Sequence, residues 1–318
     1  MPANGTSAPA PAPASAGSPS KAVVFFRRLA STVLLWSIVL WTIFSENHAI
    51  TNWVFLAIMM GLAWQGLREF YSLVEARGLV CFRQWGIASG LALMLVTFLY
   101  FTGVIPHAHE RLPAKANDFE TTLIIVFVLG LCLRRFVAKD VKDGLLAIST
   151  TLFGLLYVPW LLNFISKIAF FPGVEGRYYI LYFILVTKLS DVGAYVTGSL
   201  IGRHKMIPRI SPGKTWEGFG GAIAFSTLAS VLFAKGLGHH LAGMTVLHAV
   251  ILGVLLSACA VIGDLIESLF KREAGVKDSG HLLPGIGGIL DLLDSLLFNA
   301  PIMYLYLRHV LTNTGAGV

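Results

Sequence analysis

The sequence predicts an all-α protein that crosses a membrane about nine times, with its N-terminus inside and its C-terminus outside. Three observations carry this. Hydrophobic residues make up 56% of the 318 and charged residues 13%, whereas a soluble domain carries about 25% charged residues; mean hydropathy is +0.74. Apolar stretches recur at lengths near the roughly 20 residues that a helix needs to cross a bilayer. When the connecting segments are assigned alternately to the two sides, 17 of the 24 Lys and Arg fall on the N-terminal side, six on the other, and Lys188 remains inside a span. The positive-inside rule therefore orients the chain.

Taken in order, residues 1–22 are Ala, Pro and Ser with almost no large apolar side chain, so they cannot bury enough surface to order and are expected as a disordered tail. Spans follow near 29–44, 50–66, 86–105, 121–133, 145–163, 178–200, 217–234, 244–266 and 286–307. The first follows Arg27 and Arg28 and is expected as a retained helix rather than a cleaved signal. The fourth is the shortest. Residues 23–177 are expected as a scaffold, 178–310 as the site-bearing helices and 311–318 as a tail. The net charge of +7 follows from the basic loops. It fits anionic lipid headgroups and calls for no nucleic acid. Cys81, Cys132 and Cys259 lie far apart with no CxxC spacing, which excludes a disulfide framework and a thiolate metal site.

Charge inside the spans is concentrated in the last four, at Lys188, Asp191, Asp264, Glu267, Asp291 and Asp294. Each costs roughly 2.5–3.5 kcal/mol at a helix centre, so a wet cavity is expected there. Each neighbouring pair is three residues apart, which puts both members on one helix face. Lys188 and Asp191 read equally as a self-neutralising pair or as site residues. Asp291 and Asp294 have no basic residue within a turn, and a divalent cation resolves their repulsion. Hard oxygen ligands suit Mg²⁺, which takes few carboxylates and shares the rest of its shell with phosphate and water.

Two connecting segments supply anion-binding groups. GRHKMIPRISPGKTWEGFGG holds Arg203, Lys205, Arg209 and Lys214, and FKREAGVKDSGHLLPG holds Lys271, Arg272 and Lys277. Loop amides and cations together suit a polyphosphate; each cation taken singly reads as ordinary loop charge. PGKT is not a Walker loop, because Pro208 stands where the first Gly is required and no strand is expected before it. GGILDLLD lacks the further segment that a CDP-alcohol phosphotransferase requires. The nine His show no metal spacing.

Ser268, Lys271, Arg272, Lys277, Asp278, Pro284, Gly287, Gly288, Asp291 and Asp294 fall on a signature that resembles the CdsA-type phosphatidate cytidylyltransferases. SDVGAYVTGSLIGRHK, SPGKTWEG and GDLIESLFKR resemble the family's other segments, so the likeness covers about 110 residues from Ser190 onward. Ile286 and Leu292 depart from it, standing where the family has His and Arg. The resemblance implies that CTP and phosphatidate give CDP-diacylglycerol and pyrophosphate, on an enzyme of the bacterial inner membrane whose site faces the cytoplasm. It implies Mg²⁺ on Asp264, Asp291 and Asp294, with Asp191 as a further candidate. Lys214, Lys271, Arg272 and Lys277 would clamp phosphates, with Arg203 and Lys205 nearby; Ser211 and Thr215 would donate hydrogen bonds. A homodimer is carried as one assembly state. Two alternatives stand beside this reading: a CTP-dependent lipid or polyprenol kinase, and an ion-coupled secondary transporter that uses the carboxylates for coupling.

Overall fold

The computed structural model describes residues 48–104, 113–138, 142–280 and 287–312, together with Ser37, Leu40, Trp41 and Ser45. Helices α1 (His48–Ala76), α2 (Arg83–Thr102) and α3 (Pro113–Val137) come first. Then α4 (Gly144–Leu155) passes through a π-helical turn, Leu156–Trp160, into α5 (Leu161–Ala169). Pro159 lies in that turn and lacks an N–H, so the wider turn lets one span continue through it. Helix α6 (Gly176–Ile201) leads into a hairpin of β1 (Lys205–Ile207) and β2 (Ser211–Thr215). The last three helices are α7 (Trp216–Leu237), α8 (Val246–Glu273) and α9 (Ile289–Tyr306).

Seven helices among the described residues are long and apolar enough to cross a membrane. They meet seven of the nine expected spans. The fourth expectation falls within α3, a helix of 25 residues outside that seven; the first falls largely outside the described residues. The architecture is all-α apart from the hairpin, whose strands pair antiparallel with Lys205 opposite Thr215 and Ile207 opposite Ser211. A short strand does precede Pro208, contrary to expectation. Gly213, Lys214 and Thr215 nonetheless lie on β2 rather than in a phosphate-cradling loop, so the Walker reading stays excluded.

Helix α9 is the hub, packed against α1, α5, α6 and α8. Leu290, Leu297, Ala300, Met303 and Leu307 are fully enclosed, in a core that also takes Leu67 and Tyr71 from α1 and Tyr182 and Phe183 from α6. Small residues let the site helices meet closely, as they do between membrane helices generally. A Cβ on Gly193 of α6 would lie 2.6 Å from the Gly221 carbonyl of α7, and one on Gly263 of α8 would lie 2.6 Å from the Asp294 carbonyl of α9. Any larger residue at either place would push apart the backbones that carry the acidic side chains.

Near the C-terminal ends of α5 and α9 lies a buried ionic group. Lys167 pairs with Glu120 at 2.6 Å, both almost unexposed. Its ammonium also donates to Asn117 Oδ1 at 2.9 Å and sits over the Phe164 ring. Asn163 Nδ2 donates to Glu120 Oε1 at 2.6 Å. This group ties α3 to α5.

Candidate active site

At the opposite end of α9, residues of α6, the hairpin, α7, α8 and α9 enclose a cavity of about 480 Å³ whose lining includes Lys188, Asp191, Ser211, Lys214, Thr215, Asp264, Asp291 and Asp294. Its other wall is built of small and aromatic residues, Ala194, Tyr195, Gly198 and Phe219 among them.

Asp264 on the polar wall and the buried Glu267 behind it are three apart on α8, and Asp294 reaches them from α9. Each offers an oxygen within 4.8 Å of the others. Glu267 is fully buried. Its Oε2 pairs by charge with the Lys271 ammonium without aligned hydrogen-bond geometry, and its Oε1 has no hydrogen-bond partner among the described residues. Asp264 also pairs with Lys214 at 2.8 Å and accepts from Ser268 Oγ at 3.3 Å. Counted in their ionised forms, the five carboxylates Asp191, Asp264, Glu267, Asp291 and Asp294 outnumber the ammonium groups of Lys188, Lys214 and Lys271 by two. Two uncompensated charges, hard oxygen donors and an orphaned buried carboxylate oxygen fit one Mg²⁺.

Asp291 does different work. Its Oδ1 takes the Lys271 ammonium at 2.5 Å. Its Oδ2 accepts from Gly288 N at 2.9 Å, Ser279 N at 3.1 Å and Ser279 Oγ at 2.8 Å. It thus caps its own helix, where an acid also meets the positive end of the helix dipole. Gly287 precedes this cap with φ 103°, a region that L side chains rarely adopt. The repulsion expected between Asp291 and Asp294 is relieved by this separation: Lys271 neutralises one from α8, and the other faces Asp264 and Glu267.

Lys188 reaches across from α6. It pairs with Asp191 at 3.3 Å and donates to Leu292 O and Ser295 Oγ, each at 3.1 Å. The two residues form the self-neutralising pair, and both line the cavity wall. Lys214 also donates to Val261 O at 3.1 Å.

Of the remaining predicted residues, Ser211 and Thr215 line the cavity and the others lie off its wall. Thr215 lines the cavity but also caps α7, its Oγ1 accepting from Gly218 N at 3.1 Å. Lys271 stands behind the wall between Glu267 and Asp291. Arg272 donates to Ile210 O at 3.2 Å and ties α8 to the hairpin. Arg203, Lys205 and Lys277 are exposed outside the wall. Pro284 and Ile286 lie outside the described residues.

Sequence reasoning assigns Glu267 no role and misses Glu69 altogether. Glu69 lies on α1, is 4% exposed, and accepts from Leu290 N at 2.8 Å and Ser279 Oγ at 3.3 Å. Gln65 Nε2 donates to its other oxygen at 2.9 Å. The expected second span ends at 66, so Glu69 reads as a loop charge; α1 in fact runs on to Ala76.

Known proteins resemble this chain along most of its length. The uncharacterized protein YnbB of Escherichia coli (strain K12) is 29% identical over 280 residues, 86% of this chain and 85% of that one. A phosphatidate cytidylyltransferase of Staphylococcus saprophyticus is 37% identical over 225 residues, covering 71% of this chain and 80% of its own. One from Mycobacterium leprae is 40% identical over 156 residues, covering 49% of this chain and 48% of its own. A model of the cytidylyltransferase family matches residues 26–310, a range that contains α1 to α9 and the whole cavity. The chain is an integral membrane enzyme that belongs to the cytidylyltransferase family.

Proposed function

We propose that the protein joins CTP to phosphatidate, releasing pyrophosphate and forming CDP-diacylglycerol. The observation that carries this reading is the cavity itself, in which carboxylates and ammonium groups alternate at one end of an apolar helix bundle. One substrate is a soluble polyanion and the other a lipid, so a charged cavity among membrane helices can receive both. The relatives named as phosphatidate cytidylyltransferases support the choice of lipid.

In the reaction, a phosphate oxygen of the lipid attacks the α-phosphorus of CTP. A new P–O bond forms as the bond to the β-phosphate oxygen breaks, and pyrophosphate leaves with the electron pair. The attacking phosphate is already ionised, so no general base is required. The chain's main task is to bring two polyanions together and hold them. Lys214 is placed to exchange Asp264 for a phosphate oxygen. Lys188 neutralises the wall between Asp191 and α9, which carries Leu292 where the family signature has Arg. Lys271 holds Asp291 and shields Glu267. Asp264, Glu267 and Asp294 would hold Mg²⁺, and Asp191 lies on the same wall. When bound, the ion supplies charge neutralisation on the phosphates and the leaving pyrophosphate. Glu69 positions the Ser279 and Leu290 segments from which Asp291 projects. The basic loops support an orientation in which the cavity faces the cytoplasm, in the inner membrane of a bacterium.

Product analysis tests the reading. Purified protein given labelled CTP, Mg²⁺ and phosphatidate is expected to form a CDP-lipid and pyrophosphate. Lipid phosphate with CDP would instead identify a kinase, and CTP-independent solute counterflow a transporter.

A further inference from the structure

We propose that the groove between α1 and α2, at the catalytic end of the bundle, holds the phosphate of an anionic membrane phospholipid, with an acyl chain running down α2. The groove encloses about 470 Å³ and is separate from the catalytic cavity. Arg68, Arg83 and Gln84 stand at its mouth, and Ile87, Ala88 and Leu91 form its floor.

The charge at the mouth is set by pairing. Arg83 is taken by Glu75 at 2.8 Å and also donates to Arg68 O at 3.4 Å, which fixes the two helices together there. Arg68 has no carboxylate partner among the described residues; its guanidinium lies over the Trp64 ring, 4.7 Å from the centroid. One unpaired positive charge therefore remains, on the side chain whose fork suits phosphate oxygens, with the Gln84 amide beside it.

Depth argues for a lipid rather than a free anion. Arg83, Ile87 and Leu91 follow one another at four-residue spacing on one face of α2. At about 1.5 Å per residue, the groove descends roughly 12 Å from the charged mouth to Leu91. Trp64 lies one turn below Arg68, where an indole suits the boundary between headgroups and hydrocarbon. Inorganic phosphate would leave the apolar floor unused. The mouth is level with the catalytic end, because the next residue, Glu69, contacts Ser279 and Leu290. The lipid therefore belongs to the leaflet that meets the active site.

The test is native mass spectrometry of the full chain in neutral detergent, without CTP, titrated with phosphatidylglycerol or phosphatidylcholine. Wild-type protein is expected to retain phosphatidylglycerol preferentially and to keep it when inorganic phosphate is added. Arg68→Gln should weaken that retention about tenfold, the loss of one charge-assisted contact. Arg177→Gln, at the other end of α6, should leave it unchanged. Gln84→Glu, which replaces the amide donor by a carboxylate and so adds negative charge at the mouth, should weaken it as well, and this variant decides the matter if Arg68→Gln does not fold. Equal retention of both lipids, displacement by inorganic phosphate, or wild-type retention in the decisive variant would overturn the proposal.

Discussion

Replacing Glu69 by Ala probes whether the N-terminal helices only support the site or help to set it. Its carboxylate accepts from Leu290 N and Ser279 Oγ, and Ser279 in turn donates to Asp291. Ala leaves the enclosed Leu290 N without an acceptor, while Ser279 Oγ keeps Asp291 as its acceptor. At about 1.5 kcal/mol for an unpaired donor, the segment that carries Asp291 loses about 1.5 kcal/mol. With 1.36 kcal/mol per tenfold in rate, kcat should fall about tenfold. Release of Asp291 also lets Lys271 lean wholly onto Glu267, where it competes with a cation, so half-maximal activity should need more Mg²⁺. Glu69→Gln keeps one acceptor for Leu290 N and adds a donor that Ser279 Oγ can accept, and should stay within about threefold of wild type. The assay is transfer of label from CTP to lipid across a Mg²⁺ series, alongside thermal unfolding in detergent. Wild-type kcat and Mg²⁺ dependence in Glu69→Ala would refute the coupling. Equal loss in Glu69→Gln and Glu69→Ala would also refute it, because it would show that the charge alone matters.

Asp264→Asn, Glu267→Gln and Asp294→Asn should each cut turnover at least about 100-fold, and EDTA should abolish wild-type activity until Mg²⁺ is restored. Asp291→Asn should lose rate with its Mg²⁺ requirement nearly unchanged; a shift larger than that of Asp264→Asn would make Asp291 the ligand instead. Lys188→Met should lower activity by removing the cation beside Leu292, and Leu292→Arg in that background should restore part of it; no gain in the double variant would separate the two positions. Lys167→Met should cost about 3–5 kcal/mol by stranding Glu120 in the core, read as a lower Tm with normal kcat where folded, and Lys167→Met with Glu120→Gln should recover most of it. Gly213→Cys should react with an impermeant thiol reagent only from the cytoplasmic side; labelling from outside would reverse the orientation.

Composition and the recurrence of apolar runs are enough to predict a membrane bundle, because each helix in lipid must satisfy its own backbone and so announces itself locally. Charges inside such runs are costly, and for the same reason Lys188, Asp191, Asp264, Asp291 and Asp294 are conspicuous in the amino-acid sequence alone. Spacing along one helix also places Asp264 with Glu267. Which carboxylate faces which depends on how α8 and α9 meet at Gly263, and no one-dimensional pattern carries that. The tertiary structure groups Asp264, Glu267 and Asp294, and gives Asp291 to Lys271 and the helix cap. Glu69 shows the same limit over a longer range: Ser279 and Leu290, which donate to it, lie 210 and 221 residues away. In the sequence it is a charge beyond the end of a span; only the packing of α1 against α9 encloses it and gives it donors.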